Sequence, residues 1–113
     1  MTKKHGRHTS AFILLLLSEG PSYGALLLTR LQNELPHFFS DSADVYRCLQ
    51  DMSKNGLVET SWEPQETGQP RKWYTITPKG MDVLKEQAED IRMRKANFEF
   101  FLNHKTITQG TQR

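Results

Sequence analysis

A mostly helical α+β fold is predicted by three observations along the chain. Three apolar-periodic segments precede Asn55, two short β-prone runs flank a polar loop between Asn55 and Gly80, and a long helical repeat follows Pro78. Together they spell a winged helix-turn-helix, a DNA-reading layout, extended by one long C-terminal helix that serves for dimerisation.

Residues 1–8 read as a flexible basic arm: Lys3, Lys4 and Arg7 are basic, and nothing apolar beyond Met1 could anchor them. The first helix is expected from Ser10 to Ser18 and is apolar on all faces, as suits the centre of a small domain. Gly20-Pro21 closes the connection. Ser22 is then placed as the cap of a second helix, Tyr23 to Glu34, with Leu26, Leu27, Arg30 and Leu31 on one side and Pro36 as its stop. His37 to Ser40 form a linker whose Phe38 and Phe39 pack beneath the domain.

The third helix starts near Asp41, where Asp44 three residues on resembles a capping box with the shorter acid. Val45, Cys48, Leu49 and Met52 recur at helical spacing and form its buried face. Ala43, Arg47, Gln50 and Lys54 lie opposite. A small residue followed by three side chains that reach phosphates or base edges suits a recognition helix in a major groove.

Asn55-Gly56 accepts left-handed backbone angles and ends that helix. Leu57 to Trp62 is the first strand, with Val58, Thr60 and Trp62 on one side, and Trp73 to Thr77 is the second. Between them Glu63 to Arg71 carries two prolines and a glycine and forms a projecting loop, the wing. Arg71 and Lys72 stand at its base, within reach of phosphates or a minor groove. Thr77 caps the next helix and Pro78 takes its first position, where a missing N–H costs nothing.

That last helix is expected from Pro78 to about His104. Met81, Leu84, Ala88, Ile91, Lys95, Phe98 and Leu102 alternate by three and four, a coiled-coil seam broken only by Lys95, and Phe100 and Phe101 crowd its end. A helix of roughly 26 residues spans about 39 Å, too long for so small a domain to cover. Its stripe therefore calls for a second copy, with Met81, Leu84, Ala88, Ile91, Phe98, Phe101 and Leu102 as the dimer interface. The chain divides into the arm (1–8), a winged-helix DNA-binding domain (9–80), a dimerisation helix (81–104) and a polar, disordered tail (105–113).

Composition narrows the function. One domain of 113 residues buries roughly 65% of the surface of its unfolded chain and requires no staple. The lone Cys48 cannot form an internal disulfide, and its place in an apolar pattern predicts a buried thiol in the cytoplasm. The apolar stretch Ala11 to Leu17 imitates a signal peptide, but lacks the small-x-small cleavage pattern and is far short of the about 20 residues of a membrane span. A net charge of +2 says little; its distribution says more. No acid precedes Glu19, while acids gather in Glu34, Glu59, Glu63, Glu66 and the stretch Asp82 to Asp90. His5 and His8 make an incomplete metal site, and no nucleophile elbow, phosphate loop or cofactor motif is present, so an enzyme is not expected.

The segments ILLLLSEGPSYG, VYRCLQDMSKNGLVE and GQPRKWYTITPKG resemble the PadR family of bacterial transcriptional regulators, in its short form with one C-terminal helix, over about Ser10 to Leu84. The resemblance implies a dimeric regulator, usually a repressor, that binds palindromic double-stranded promoter DNA and releases it on a signal. It also implies that Tyr46 reaches a DNA phosphate. Where the family often has Ser-Pro-Gly-Thr before that tyrosine, this chain has Asp41-Ser42-Ala43-Asp44 and then Val45; Gly24 is followed by Ala25 rather than an aromatic residue. Asp44 in this position would accept a hydrogen bond from a cytosine amino group. The candidate DNA-binding set is Ser42, Asp44, Tyr46, Arg47, Gln50, Lys54, Arg71 and Lys72. Two other readings stand beside it. Asp41 and Asp44 suit a winged helix turned to protein interaction, and the phenylalanines suit a sensor whose small apolar or aromatic effector binds at the dimer interface, as in some short members of the family.

Overall fold

A computed structural model describes residues 8–111. The expected basic arm, apart from His8, and the last two residues of the tail lie outside the described residues. The elements run α1 (Thr9–Leu17), β1 (Ser22–Tyr23), α2 (Gly24–Glu34), α3 (Ser42–Lys54), β2 (Val58–Glu63), β3 (Arg71–Ile76), α4 (Pro78–Leu102) and α5 (Lys105–Thr111).

α1 lies at the centre because its side chains have neighbours on several sides: α2, α3, α4 and β3 all pack against it. Ile13, Leu14 and Leu17 are essentially sealed, and join Leu27 and Leu31 of α2, Val45, Leu49 and Met52 of α3, Val58 of β2 and Tyr74 of β3 in one core. Burial of this apolar surface drives the fold at about 25 cal/mol per Å². One face of α1 escapes, since Leu15 is 48% exposed. Cys48 is only half-buried, not sealed as its pattern suggested, because it sits at the edge of the buried face of α3.

Asn55-Gly56 ends α3 as expected, in a Schellman closure. The Leu57 N–H donates to the Met52 carbonyl at 2.9 Å and the Gly56 N–H to the Ser53 carbonyl at 3.2 Å, with Gly56 at φ 76°. The chain then enters a three-stranded antiparallel sheet of order β1-β3-β2, with Val58 opposite Ile76 and Glu63 opposite Arg71. β1 corrects the expectation for Ser22. It is not a helix cap but a strand residue paired with Tyr74, and Tyr23 pairs with Trp73, so α2 begins only at Gly24. A two-residue strand leaves no alternation to read, and its partner lies some fifty residues away in the sequence.

Thr77 caps α4, accepting a hydrogen bond from the Gly80 N–H at 3.0 Å, with Pro78 in the first turn. Its seam divides in two. Met81, Leu84, Ala88 and Ile91 are half-buried, with Val83 and Leu84 packed on the chain's own core. Beyond them the helix is largely open to solvent, and Phe98, Phe101 and Leu102 are each about 60% exposed. The expected disordered tail is corrected over residues 105–111, which form α5. His104 starts it: its ring Nδ1 accepts from the Thr106 N–H at 3.1 Å and its carbonyl from the Thr108 N–H at 3.0 Å, a local cap that overrides a weak helical composition.

Candidate nucleic-acid interface

The outward face of α3 is set by its buried one. With Val45, Leu49 and Met52 sealed inward, helical spacing turns Ser42, Tyr46, Arg47, Gln50 and Lys54 to solvent, and all five are exposed. Asp41 holds the start of the helix: its side chain accepts the Asp44 N–H at 2.9 Å. Asp44 is the exception among the expected contacts. It is 6% exposed, accepts from the Ser40 hydroxyl at 3.0 Å and pairs with Arg47, so its carboxylate is used inside the fold instead of facing a base.

The sheet builds the second wall. Arg71 lies over the Tyr23 ring, 4.2 Å from its centroid, and Tyr23 meets Trp73 edge to face at 5.1 Å. The Trp73 indole N–H donates to Glu63 across the hairpin at 2.7 Å, fixing the ring against the strand. On the neighbouring register Lys72 reaches over Trp62 and Tyr74, at 5.4 and 5.7 Å. Cation–aromatic packing of this kind holds long basic side chains upright while leaving their charge to interact outward. Tyr74 itself is a buried core residue; burial, and then the nearby Tyr46, push its phenol up, so it stays protonated at neutral pH.

Between the two walls lies a cleft of about 540 Å³, lined by Tyr23, Tyr46, Gln65, Gln69, Arg71 and Lys72. The structure thus brings together three expected residues, Tyr46, Arg71 and Lys72. Arg47, Gln50 and Lys54 are exposed on α3 but do not line the cleft. Tyr23, Gln65 and Gln69 were not foreseen. Tyr23 stood within a segment read as helix, and the two glutamines within a loop judged only by its polarity. Among the described residues no group of three His, Cys, Asp or Glu could hold a metal ion, and no helix is long and apolar enough to cross a membrane.

The model of the transcriptional regulator PadR-like family matches residues 13–86, from the centre of α1 into α4. The chain belongs to the PadR-like family of transcriptional regulators. Like its family, this PadR-like chain is a transcriptional regulator rather than an enzyme. A PadR-like transcriptional regulator from Bacillus cereus is 28% identical, with a TM-score of 0.72 over 87% of this chain and 94% of that one. A transcriptional regulator from Clostridium thermocellum is 26% identical, with a TM-score of 0.73 over 85% and 91%. Bacillus subtilis PadR, solved in complex with operator DNA, shares the winged-helix fold at 24% identity and a TM-score of 0.67, over 73% of this chain and 47% of that one. No curated protein matches the PadR-like chain closely enough to add to these.

Proposed function

We propose that this PadR-like chain is a homodimeric repressor, working in the cytoplasm, that binds palindromic promoter DNA and releases it when a small apolar or aromatic effector, or another signal, arrives. The observation that carries the reading is the convergence of Tyr46 from α3 with Arg71 and Lys72 from the wing on one cleft, beside the exposed Ser42, Arg47, Gln50 and Lys54. Phosphate contacts from the cleft would set the register on the duplex, and the side chains of α3 would read the major groove. Operator DNA bound by the Bacillus subtilis relative supports the same use of the shared fold.

Dimerisation follows from the free half of α4. Phe98, Phe101 and Leu102 stand exposed, and a second copy covers them most simply, placing two recognition helices about 34 Å apart for successive turns of DNA. Along this segment, on the side facing α1, lies an apolar cavity of about 300 Å³, lined by Phe12, Ile91, Phe98 and Leu102, with Arg94 and Glu99 beside them. That volume is at the small end of ligand pockets and suits a compact apolar or aromatic effector.

The protein-partner reading is weaker, because it drew on Asp41 and Asp44. Asp44 is turned inward and Asp41 caps its own helix. Gel-shift titration of the chain against the region upstream of its own gene tests the proposal. Specific retardation is expected, weakened in Arg47→Ala and Arg71→Ala; no binding to any upstream fragment contradicts it.

A further inference from the structure

An acid in the first turn of a recognition helix would ordinarily oppose phosphates, so what Asp44 does with its charge decides how the helix reads DNA. Its two oxygens go to different neighbours. One accepts the Ser40 hydroxyl at 3.0 Å, and the Ser40 oxygen in turn lies 2.8 Å from the hydroxyl of Thr9, itself a buried residue at the start of α1. The other pairs with the Arg47 guanidinium one turn further along α3. Thr9, Ser40, Asp44 and Arg47 form one chain of polar contacts that begins in the interior and ends on an exposed side chain.

The asymmetry of the ion pair matters. The Asp44 side chain is 9% exposed and that of Arg47 is 60% exposed, so the acid is the fixed member and the base is the presented one. An unpaired arginine on a helix surface samples many rotamers and favours the nearest phosphate. Anchored at one amine, it keeps further N–H donors in a rigid fork, the geometry that matches O6 and N7 of guanine.

We propose that Asp44 is a specificity-determining positioning residue, which holds Arg47 so that the free part of its guanidinium meets a guanine in the major groove. The inference rests on the DNA-binding reading above. It departs from the direct contact to cytosine that the sequence suggested for Asp44, and assigns the base contact to Arg47 alone.

The test uses the full chain and a duplex selected by the wild type from a random pool, beside an unselected duplex of equal length, both at one salt concentration. Asp44→Asn removes the charge and keeps the shape. Affinity for the selected duplex is expected to fall roughly tenfold. Affinity for the unselected duplex should hold or rise, because an acid has gone. In an Arg47→Ala background the same change should leave the ratio of the two affinities unaltered. Ser40→Ala, which keeps the carboxylate but loosens its seat, should lower the ratio less, and serves if Asp44→Asn fails to fold.

Two results overturn the proposal: a ratio unchanged in Asp44→Asn, whether or not both affinities shift together, or an effect that survives the loss of Arg47. If the wild type selects no duplex and binds none, the DNA-binding reading itself falls. A wild type that selects DNA and an Asp44→Asn variant that matches it sink only the role given to Asp44.

Discussion

The Tyr46 ring rests on the bare backbone of Gly24: a Cβ there would lie 2.4 Å from Cε1 and 2.9 Å from the hydroxyl oxygen. α2 and α3 approach this closely only because position 24 has no side chain. Adding a methyl group to a helical glycine ordinarily stabilises a protein by about 0.4–1 kcal/mol. Here that gain is offset, because the methyl group must push the half-exposed Tyr46 ring aside. Gly24→Ala is expected to stay within about 1 kcal/mol of the wild type by urea denaturation, yet to weaken DNA binding by displacing Tyr46. In a Tyr46→Ala background the added methyl should leave DNA binding unchanged. A single Gly24→Ala variant that binds DNA as the wild type does would show that the ring keeps its place.

A second close approach joins α4 to the chain before β2. A Cβ on Gly80 would meet the Leu57 carbonyl oxygen at 2.2 Å and an Ile76 side-chain carbon at 2.7 Å. Backbone cannot swing aside as a ring can, and the Thr77 hydroxyl, donating to the Gly56 carbonyl at 2.7 Å, fixes the same corner. Gly80→Ala is therefore expected to lower the melting temperature, by roughly 4–8 °C for each kcal/mol lost in a domain of this size. The check is thermal denaturation at matched protein concentration; an unchanged or raised melting temperature counts against the packing described.

Most of this architecture was legible in the sequence. The Schellman end at Asn55-Gly56 and the Thr77-Pro78 start are local signals, complete within a few residues, and both stand where those residues predict them. What escaped depends on partners distant in the chain. Ser22-Tyr23 becomes a strand only because β3 runs beside it, and the inward turn of Asp44 depends on Ser40 and on Thr9, which α1 brings to it. The cleft was half visible. Arg71, Lys72 and Tyr46 carried type and position, whereas Tyr23 acquires its place under Arg71 from the missed strand.

The exposed end of α4 bears on assembly. Phe98 and Phe101 are 62% and 60% exposed, and the proposed dimer would cover them. Phe98→Asp combined with Phe101→Asp is expected to convert a dimer to a monomer in sedimentation analysis. The winged-helix domain should keep its circular-dichroism spectrum, since both residues lie beyond its core. A monomeric wild type would refute this use of α4.

Acid should loosen the end of α2. Arg30 donates to Glu34 at 2.6 Å and to Glu19 at 2.9 Å, and the hydrogen bond from Arg30 holds the Glu34 carboxyl below its ordinary value near 4.5. A carboxyl depressed in the folded state adds stability above its unfolded pKa, and that contribution is lost as pH falls through the folded one. Glu34→Gln should thus be slightly less stable than the wild type at pH 7 and equal to it near pH 3. The effect is small, because the pair is exposed to solvent. Urea midpoints at the two pH values decide it; a gap that persists in acid removes the electrostatic explanation.

Removing basic residues from the wing should change the salt dependence of DNA binding before it changes sequence preference. Each neutralised phosphate releases a counterion, so Lys72→Ala is expected to flatten the plot of log affinity against log salt by roughly one for the phosphate it no longer neutralises, with similar weakening on all sequences. Loss of preference without a change in slope would place Lys72 at a base.

The most direct test of DNA recognition by α3 and the wing together is fluorescence anisotropy of a labelled upstream duplex, titrated with protein across a series of salt concentrations. Wild type should bind with an affinity that falls steeply as salt rises, and the Arg47→Ala, Arg71→Ala double variant should bind more weakly with a shallower slope. A wild type that binds no upstream duplex, or a double variant whose affinity and slope match it, would contradict the interface assigned to this face.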